Sequence, residues 1–302
     1  MAQTTSKTYR LTDLLDPGFM ARLDGLDVAS RKILHGRLQG ERRSKRRGQS
    51  VEFADHRPYV VGDDLRFVDW NVYGRLDQLF LKLFLEEQDL TVHIAFDCSL
   101  SMSRPVAAKF QFVRQLSAAL GYVSLVHNNR VTLSAFADRI TAQLAYMRGR
   151  LRLPAMAEML VTQSCDGPSL FDHACRQLSA GTVANGIMIV ISDFFFKDGF
   201  ESGLKRLIGR GYDVYVIQTL TPEEREPTLS GDLRLVDIED GDHAEVTVSK
   251  ALLTYYQRNL TAYCHELKNF CARHGVTYVL AGTEDAVEKL VLNYLRRIHL
   301  LR

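Results

Sequence analysis

Two rhythms of apolar residues alternate along the chain from about residue 90 onward. Short continuous runs at Val92–Phe96, Val131–Phe136 and Gly186–Ile191 are typical of strands buried on both faces. Between such runs apolar residues recur every three to four positions, as at Phe112 and Leu116, which predicts helices. Strands that alternate with helices predict an α/β fold with a doubly wound, mostly parallel sheet and helices on both faces.

The same patterns predict the remaining elements of a domain that spans residues 90–302. The predicted strands are 139–144, 213–218, 233–237, 244–248 and 276–280, and the predicted helices are 151–160, 169–178, 200–208, 249–274 and 284–295. Strands 233–237 and 244–248 are expected to form a hairpin or a sheet edge, because Asp240-Gly241-Asp242 separates them. Residues 1–89 are expected to form an N-terminal basic helical segment and an extension, with a helix from Asp24 to Leu34.

Basic residues concentrate in the N-terminal segment. Between Arg31 and Ser50 eight lysines or arginines stand against one glutamate, and the run Arg42–Arg47 is the densest part. Such a run is most often a solvated face or a contact for an acidic partner, whereas nucleic-acid binding is the alternative interpretation. No aromatic residues are interleaved with the charges, and the formal net charge of the whole chain is only +2, so nucleic acid is not the expected partner.

The spacing of the cysteines and the lack of long apolar runs indicate the cellular compartment that we expect for the protein. The five cysteines include no Cys-x-x-Cys pair, which fits reduced thiols in a cytoplasm. No apolar run approaches the roughly 18 residues of a membrane span, and the polar start does not resemble a secretory signal. Cys264 and Cys271 with His274 could suggest zinc, but buried thiols are the interpretation we favour.

Oxygen-bearing side chains follow two of the predicted strands. Asp97, Ser99 and Ser101 lie at alternate positions after one strand, and Asp193 ends another. Ser169 stands in a Gly-Pro-Ser turn before a helix. Ligands of open α/β sheets bind outside the carboxyl ends of the strands, so we expect these five residues to meet there. Carboxylate and hydroxyl oxygens suit Mg²⁺, or Mn²⁺ or Ca²⁺ in its place.

These residues resemble the metal-ion-dependent adhesion site of the von Willebrand factor A fold. Asp97, Ser99 and Ser101 match its Asp-x-Ser-x-Ser pattern, Asp193 matches its distant aspartate, and Ser169 takes the position of its threonine. The resemblance implies a site that binds a divalent metal and leaves one coordination position for a partner's carboxylate. Ser169 keeps the hydroxyl of the threonine and lacks its methyl group.

The upstream stretch narrows the resemblance to one family. Residues 46–59, 62–66, 69–70 and 97–102 together resemble the bacterial domain-of-unknown-function 58 family. This resemblance implies a helper of MoxR-type AAA+ ATPases that acts in assembly or maturation of an acidic client protein. Asp55, Asp63, Asp64 and Asp69 could be ligands, but turn capping and pairing with Arg57, Arg66 and Arg75 is the favoured interpretation. The sequence assigns no role to Trp70.

Other chemistries fit the same residues less well. A phosphatase of the Asp-x-Asp type needs a carboxylate where this chain has Ser99, and no Gly-x-Ser-x-Gly elbow surrounds Ser101. We therefore expect an interaction protein and not an enzyme. A degenerate, metal-free scaffold in which Asp97 and Asp193 only cap helices remains an alternative, as does a nucleic-acid module built on Arg42–Arg47.

Overall fold

The structure is a computed structural model that describes residues 10–28, 52–85, 90–180, 186–239 and 241–301. The described residues divide into two compact units. Residues 10–28 and 90–301 belong to one unit, and residues 52–85 belong to the other.

The described residues contain ten strands. They are β1 (Glu52–Pro58), β2 (Phe80–Leu85), β3 (Thr91–Asp97), β4 (Arg130–Phe136), β5 (Ile140–Met147), β6 (Ile187–Ser192), β7 (Asp213–Leu220), β8 (Gly231–Val236), β9 (His243–Val248) and β10 (Thr277–Gly282). Six of them form the central sheet in the order β10-β7-β6-β3-β4-β5. All neighbours pair in parallel except β4 and β5, which form an antiparallel hairpin. The predicted α/β fold class with a doubly wound, mostly parallel sheet is confirmed.

The sheet is buried on both faces because its strands carry apolar side chains at successive positions. Ile187, Ile189 and Ile191 of β6 enter one core, and Met188 and Val190 enter the other. Side chains of a strand alternate between the two faces, so a continuous apolar run supplies both cores. The helices that cover the two faces are Ala108–Val126, Leu153–Thr162, Phe171–Ser179, Glu201–Gly209 and Lys250–Arg273.

The order of the strands reverses at β3, which lies between β4 on one side and β6 on the other. Phe96 of β3 is paired with Ile191 of β6, so the residues that follow them leave the sheet side by side. Such a switch point is where open α/β sheets bind ligands. The topology therefore places the loops after Asp97 and after Ser192 together.

The N-terminal residues differ from the prediction. The helix is Pro17–Leu23, and Asp24 is its C-terminal cap instead of the start of a helix. Asp16 caps the N-terminus by accepting hydrogen bonds from the backbone of Gly18 and Phe19, and proline at the first helical position is favourable. Residues 10–28 pack on the core of the sheet unit through several buried leucines. The predicted continuation to Leu34 and the run Arg42–Arg47 lie outside the described residues.

The smaller unit pairs β1 with β2 in an antiparallel ribbon and adds the helix Trp70–Leu76. Three of its aspartates have structural partners. Asp63 pairs with Arg57, with 2.6 Å between the nearest atoms, Asp64 binds the Arg66 side chain, and Asp69 caps the helix. Trp70 is exposed.

The rest of the chain follows the predicted order. Strands β8 and β9 pair only with each other, Ser249 caps the helix Lys250–Arg273, and the short helices Pro222–Arg225 and Val287–Lys289 and the π-helix Leu290–Leu295 complete the described elements. None of the described helices combines the length and apolarity that crossing a membrane requires.

Candidate metal centre at the carboxyl edge of the sheet

Asp97, the last residue of β3, is completely buried. Its Oδ1 accepts a hydrogen bond from the Ser99 backbone N–H at 2.8 Å, and its Oδ2 accepts one from the Ser192 hydroxyl at 2.7 Å. Burial, and after it the negative charge of Asp193, together raise the pKa of Asp97 to about 7 against the lowering effect of the hydrogen bonds. Among the described residues no lysine or arginine forms an ion pair with Asp97.

The hydroxyls of Ser99 and Ser101 lie side by side after Asp97, with 3.1 Å between their oxygens. The short 3₁₀ helix Leu100–Ser103 brings about this arrangement, because it turns the chain directly after Ser99. Two ligands on adjacent corners of an Mg²⁺ octahedron lie about 3 Å apart when each is 2.0–2.1 Å from the ion. The spacing of the two hydroxyls therefore fits that geometry.

The loop that carries Ser169 is hydrogen-bonded to the loop after β3. The Leu100 N–H donates to the Gly167 carbonyl, and the Asp166 N–H donates to the Cys98 carbonyl, both at 3.0 Å. The Ser169 Oγ is buried and has no hydrogen-bond partner among the described residues. A buried hydroxyl without a partner is costly, so its oxygen is a candidate for coordination to something other than protein.

Asp193 directly follows β6 and is also buried. Its Oδ1 accepts a hydrogen bond from the Phe195 N–H at 3.0 Å, and its carbonyl accepts one from the Gln218 side chain at 2.9 Å. Its Oδ2, however, lies 2.7 Å from the Nζ of Lys109. Asp193 is thus neutralised by a lysine of the chain itself.

Lys109 belongs to this cluster although the sequence analysis did not predict it. It lies at the start of the helix Ala108–Val126 and is completely buried, which is rare for lysine unless it is paired. One signal was available: Lys109 shares the helical stripe of Val113, Leu116 and Leu120, all of which face the core. A lysine in an apolar stripe indicates a buried carboxylate partner.

Lys109 has two such partners. Its Nζ lies 2.6 Å from Glu224 Oε1 as well as 2.7 Å from Asp193 Oδ2. Burial by itself would lower the pKa of Lys109, but the two carboxylates raise it overall, so the side chain stays charged. Burial raises the pKa of Glu224, and Lys109 opposes that effect. Glu224 also closes a capping box with Thr221, which fixes its position after β7.

The donor set fits a divalent cation. When all three are ionised, Asp97, Asp193 and Glu224 carry three negative charges against the single positive charge of Lys109, and a dication would balance the remainder and favour the ionised form of Asp97. The other candidate ligands are the hydroxyls of Ser99, Ser101 and Ser169.

Within the described part of the chain, no three histidine, cysteine, aspartate or glutamate side chains form a group that could hold a metal ion. The possible zinc site at Cys264, Cys271 and His274 is accordingly not formed.

A family model described as protein of unknown function DUF58 matches residues 55–281 of this chain. Among curated proteins, the uncharacterized protein Rv1480 of Mycobacterium tuberculosis is 25% identical over 257 residues, which cover 83% of this chain and 80% of that protein. The uncharacterized protein Mb1516 of Mycobacterium bovis matches to the same extent, 25% over 257 residues.

Solved structures with a similar fold are more remote. The conserved hypothetical protein BatB of Bacteroides thetaiotaomicron matches with a TM-score of 0.43 and 16% identity over 69% of this chain and 98% of that one. The pilus adhesin SpaC of Lactobacillus rhamnosus GG matches with a TM-score of 0.45 and 13% identity over 71% of this chain and 30% of that one. At this distance, what those proteins do says nothing about the activity of this chain.

Proposed function

The chain belongs to the DUF58 family, and we propose that it acts as a metal-dependent protein-interaction module. In this proposal Asp97, Ser99, Ser101 and Ser169 hold Mg²⁺, Mn²⁺ or Ca²⁺ at the carboxyl edge of the sheet, with Asp193 beside them. When bound, the dication supplies an electrophilic position that a carboxylate of an acidic client protein can fill.

The buried charge of Asp97 carries the proposal. An ionised carboxylate that is taken out of water without a cationic partner is strongly disfavoured, and within the described residues Asp97 has only the Ser99 backbone N–H and the hydroxyls of Ser192 and Ser99 as donors. Asp193, whose negative charge acts on Asp97, is already paired with Lys109. A dication next to Asp97 resolves this imbalance, and the Ser99, Ser101 and Ser169 hydroxyls are suitable neutral ligands.

The same groups support binding in preference to catalysis. A serine nucleophile needs an adjacent base that can accept its proton. Lys109 donates to the Ser101 carbonyl at 3.4 Å and is held charged by two carboxylates, so it is no such base. We therefore propose a non-enzymatic role.

The identity of the partner rests on the family resemblance. We propose that the module works with a MoxR-type AAA+ ATPase in the cytoplasm, in assembly or maturation of the client. The five free cysteines are compatible with a reducing compartment.

The test of the metal site compares the wild type with Asp97→Asn in thermal unfolding with Mg²⁺ and with chelator. If metal binds only the folded protein, a hundredfold excess over Kd stabilises the wild type by about 2.7 kcal/mol. Asp97→Asn keeps the shape and removes the charge, so the variant should lose this stabilisation. Asp77→Asn is a matched control, because Asp77 is exposed and its left-handed backbone accepts asparagine. Equal Mg²⁺ shifts in all three proteins contradict the proposal.

The partner is tested by affinity capture from a lysate of the source cells with purified wild type and Asp97→Asn. A MoxR-type ATPase should be retained by the wild type in Mg²⁺ and lost with the variant in the same buffer. Using the variant avoids the effect of chelators on the nucleotide site of the ATPase. Retention of the ATPase by both proteins would separate that partnership from the metal site.

A second candidate function is a metal-free scaffold, and one observation favours it. The Lys109 ammonium already occupies one side of Asp193, so part of the negative charge at this edge is balanced without metal. In that case the residues at the carboxyl edge of the sheet would contribute only to packing. Mg²⁺ would then leave the stability of the wild type unchanged.

A further inference from the structure

The hairpin formed by β8 and β9 brings an acid to the candidate metal centre. Glu239 lies in the turn between these strands, and its Oε2 accepts a hydrogen bond from the Ser169 backbone N–H at 3.1 Å. The turn is held by two further contacts: the Glu239 N–H donates to Asp237 Oδ1 at 2.8 Å, and Lys197 Nζ lies 2.8 Å from Asp237 Oδ2. A distant segment thus places its carboxylate on the loop whose hydroxyl lacks a partner.

The carboxylate of Glu239 could accept a cation. Among the described residues no lysine or arginine forms an ion pair with it, and its Oε1 accepts no hydrogen bond. Glu239 is partly buried, and its carboxylate is held on the loop that carries the Ser169 hydroxyl.

The contact is not needed for packing. Most residues of β8 and β9 are exposed and none is buried, and the two strands pair only with each other. An isolated two-stranded hairpin has little stability of its own, and such segments open at low cost. Glu239 can therefore leave the candidate metal centre while the central sheet stays intact.

We propose that Glu239 is an internal ligand of the metal centre, which takes the coordination position that the client's carboxylate needs. This inference rests on the proposed function. In the free protein the hairpin closes the site through Glu239 Oε1, and a client binds only when the hairpin turn moves away. Because Glu239 is tethered to the same chain, it acts at a high effective concentration. A carboxylate that binds the metal only weakly therefore cannot displace it.

Mn²⁺ and acetate serve as probes in the test. Water-proton relaxation reports how many exchangeable waters a protein-bound Mn²⁺ keeps, and acetate that coordinates the ion lowers this number. Glu239→Gln should gain one bound water relative to the wild type and bind Mn²⁺ roughly tenfold more weakly. Acetate should lower the relaxation of Glu239→Gln at concentrations at least about tenfold below those needed for the wild type.

Glu245→Gln is the matched control, because Glu245 is exposed on β9 of the same hairpin. It should behave as the wild type in both titrations. If Glu239→Gln and the wild type give the same water number and the same acetate curve, Glu239 is not a ligand, although the metal site stands. If the wild type does not bind Mn²⁺, both the proposed function and this inference are overturned.

Discussion

Asp97 and Asp193 follow adjacent parallel strands at one edge of the sheet, and both are buried, but their charges are met in different ways. Asp193 forms a buried ion pair with Lys109, whose ammonium also reaches Glu224. Asp97 has hydrogen-bond donors and no cation among the described residues. The fold thus supplies a counter-ion at one strand end and, within the described residues, none at the other.

The largest expected effect comes from removing the permanent counter-ion. Lys109→Met leaves Asp193 and Glu224 without a cation, and breaking a buried ion pair on one side costs about 3–5 kcal/mol. The free energy of unfolding in chelator, from urea denaturation, should fall by this amount. Lys268→Met, at an exposed position of the helix Lys250–Arg273, should change it little. A small loss for Lys109→Met would mean that this pair contributes no more than a surface contact.

His93 provides a buried ionisable group in the same strand as Asp97 but away from the candidate metal centre. Burial lowers the pKa of His93 from 6.5 to about 4, and its Nε2 has no partner. The unfolded chain therefore takes up a proton near pH 6.5 that the folded protein accepts only near pH 4. The contribution of His93 to the free energy of unfolding should fall by about 3 kcal/mol across this window as the pH decreases, whereas Asp97, whose pKa is raised to about 7 chiefly by burial, contributes in the opposite direction.

His93→Leu should remove the contribution of His93, so its free energy of unfolding should fall by about 3 kcal/mol less than that of the wild type as the pH decreases from about 6.5 to about 4. His265→Leu, at an exposed position, should follow the wild type. Chemical denaturation at several pH values in chelator measures all three proteins, and the same pH dependence in His93→Leu and the wild type would contradict the prediction.

A smaller effect distinguishes the two aspartates directly. Asp193→Asn removes one of the two partners of Lys109 and should destabilise the protein in chelator by about 2 kcal/mol. Asp97→Asn should not destabilise it under those conditions, because it removes a buried charge that has no counter-ion. Thermal unfolding of the two variants, side by side, tests the comparison. Equal losses would show that Asp97 is also compensated within the protein.

The smallest change concerns Ser169. Ser169→Ala removes a buried hydroxyl that has no hydrogen-bond partner among the described residues, so the free energy of unfolding in chelator should rise by about 1 kcal/mol. If the hydroxyl is a ligand, Mn²⁺ affinity should nevertheless fall several-fold, as measured by calorimetry. Ser164→Ala, at an exposed position of the same loop, is the control. Unchanged Mn²⁺ affinity in Ser169→Ala would remove Ser169 from the ligand set.

Predictions from sequence succeeded where the signal is local. The apolar run before Asp193 predicted β6 because consecutive apolar side chains point to both faces of a strand. Ser249 predicted the start of the long helix because its side chain caps the backbone locally, as the structure confirms. At Asp24 a local signal misled, since aspartate before glycine also suits the end of a helix, and Asp16-Pro17 was the true start.

Lys109 and Glu239 show that local sequence signals do not predict contacts between residues far apart in the chain. Lys109 meets Glu224, 115 positions away, and Glu239 meets Ser169, 70 positions away. Pairing over such separations depends on how strands are ordered in the sheet and on how loops cross its edge. No spacing rule within one helix or one strand encodes it.

The sequence by itself determined the alternating strands and helices, the two strand-end aspartates and the serines beside Asp97, because each depends on residues within one or two turns of chain. The tertiary structure alone decided which aspartate has a counter-ion. It set β6 next to β3 and brought Lys109 from a helix and Glu224 from beyond β7 onto Asp193, while nothing comparable reached Asp97 among the described residues. Charge compensation in a buried site depends on distance in space, and folding, not spacing along the chain, fixes that distance.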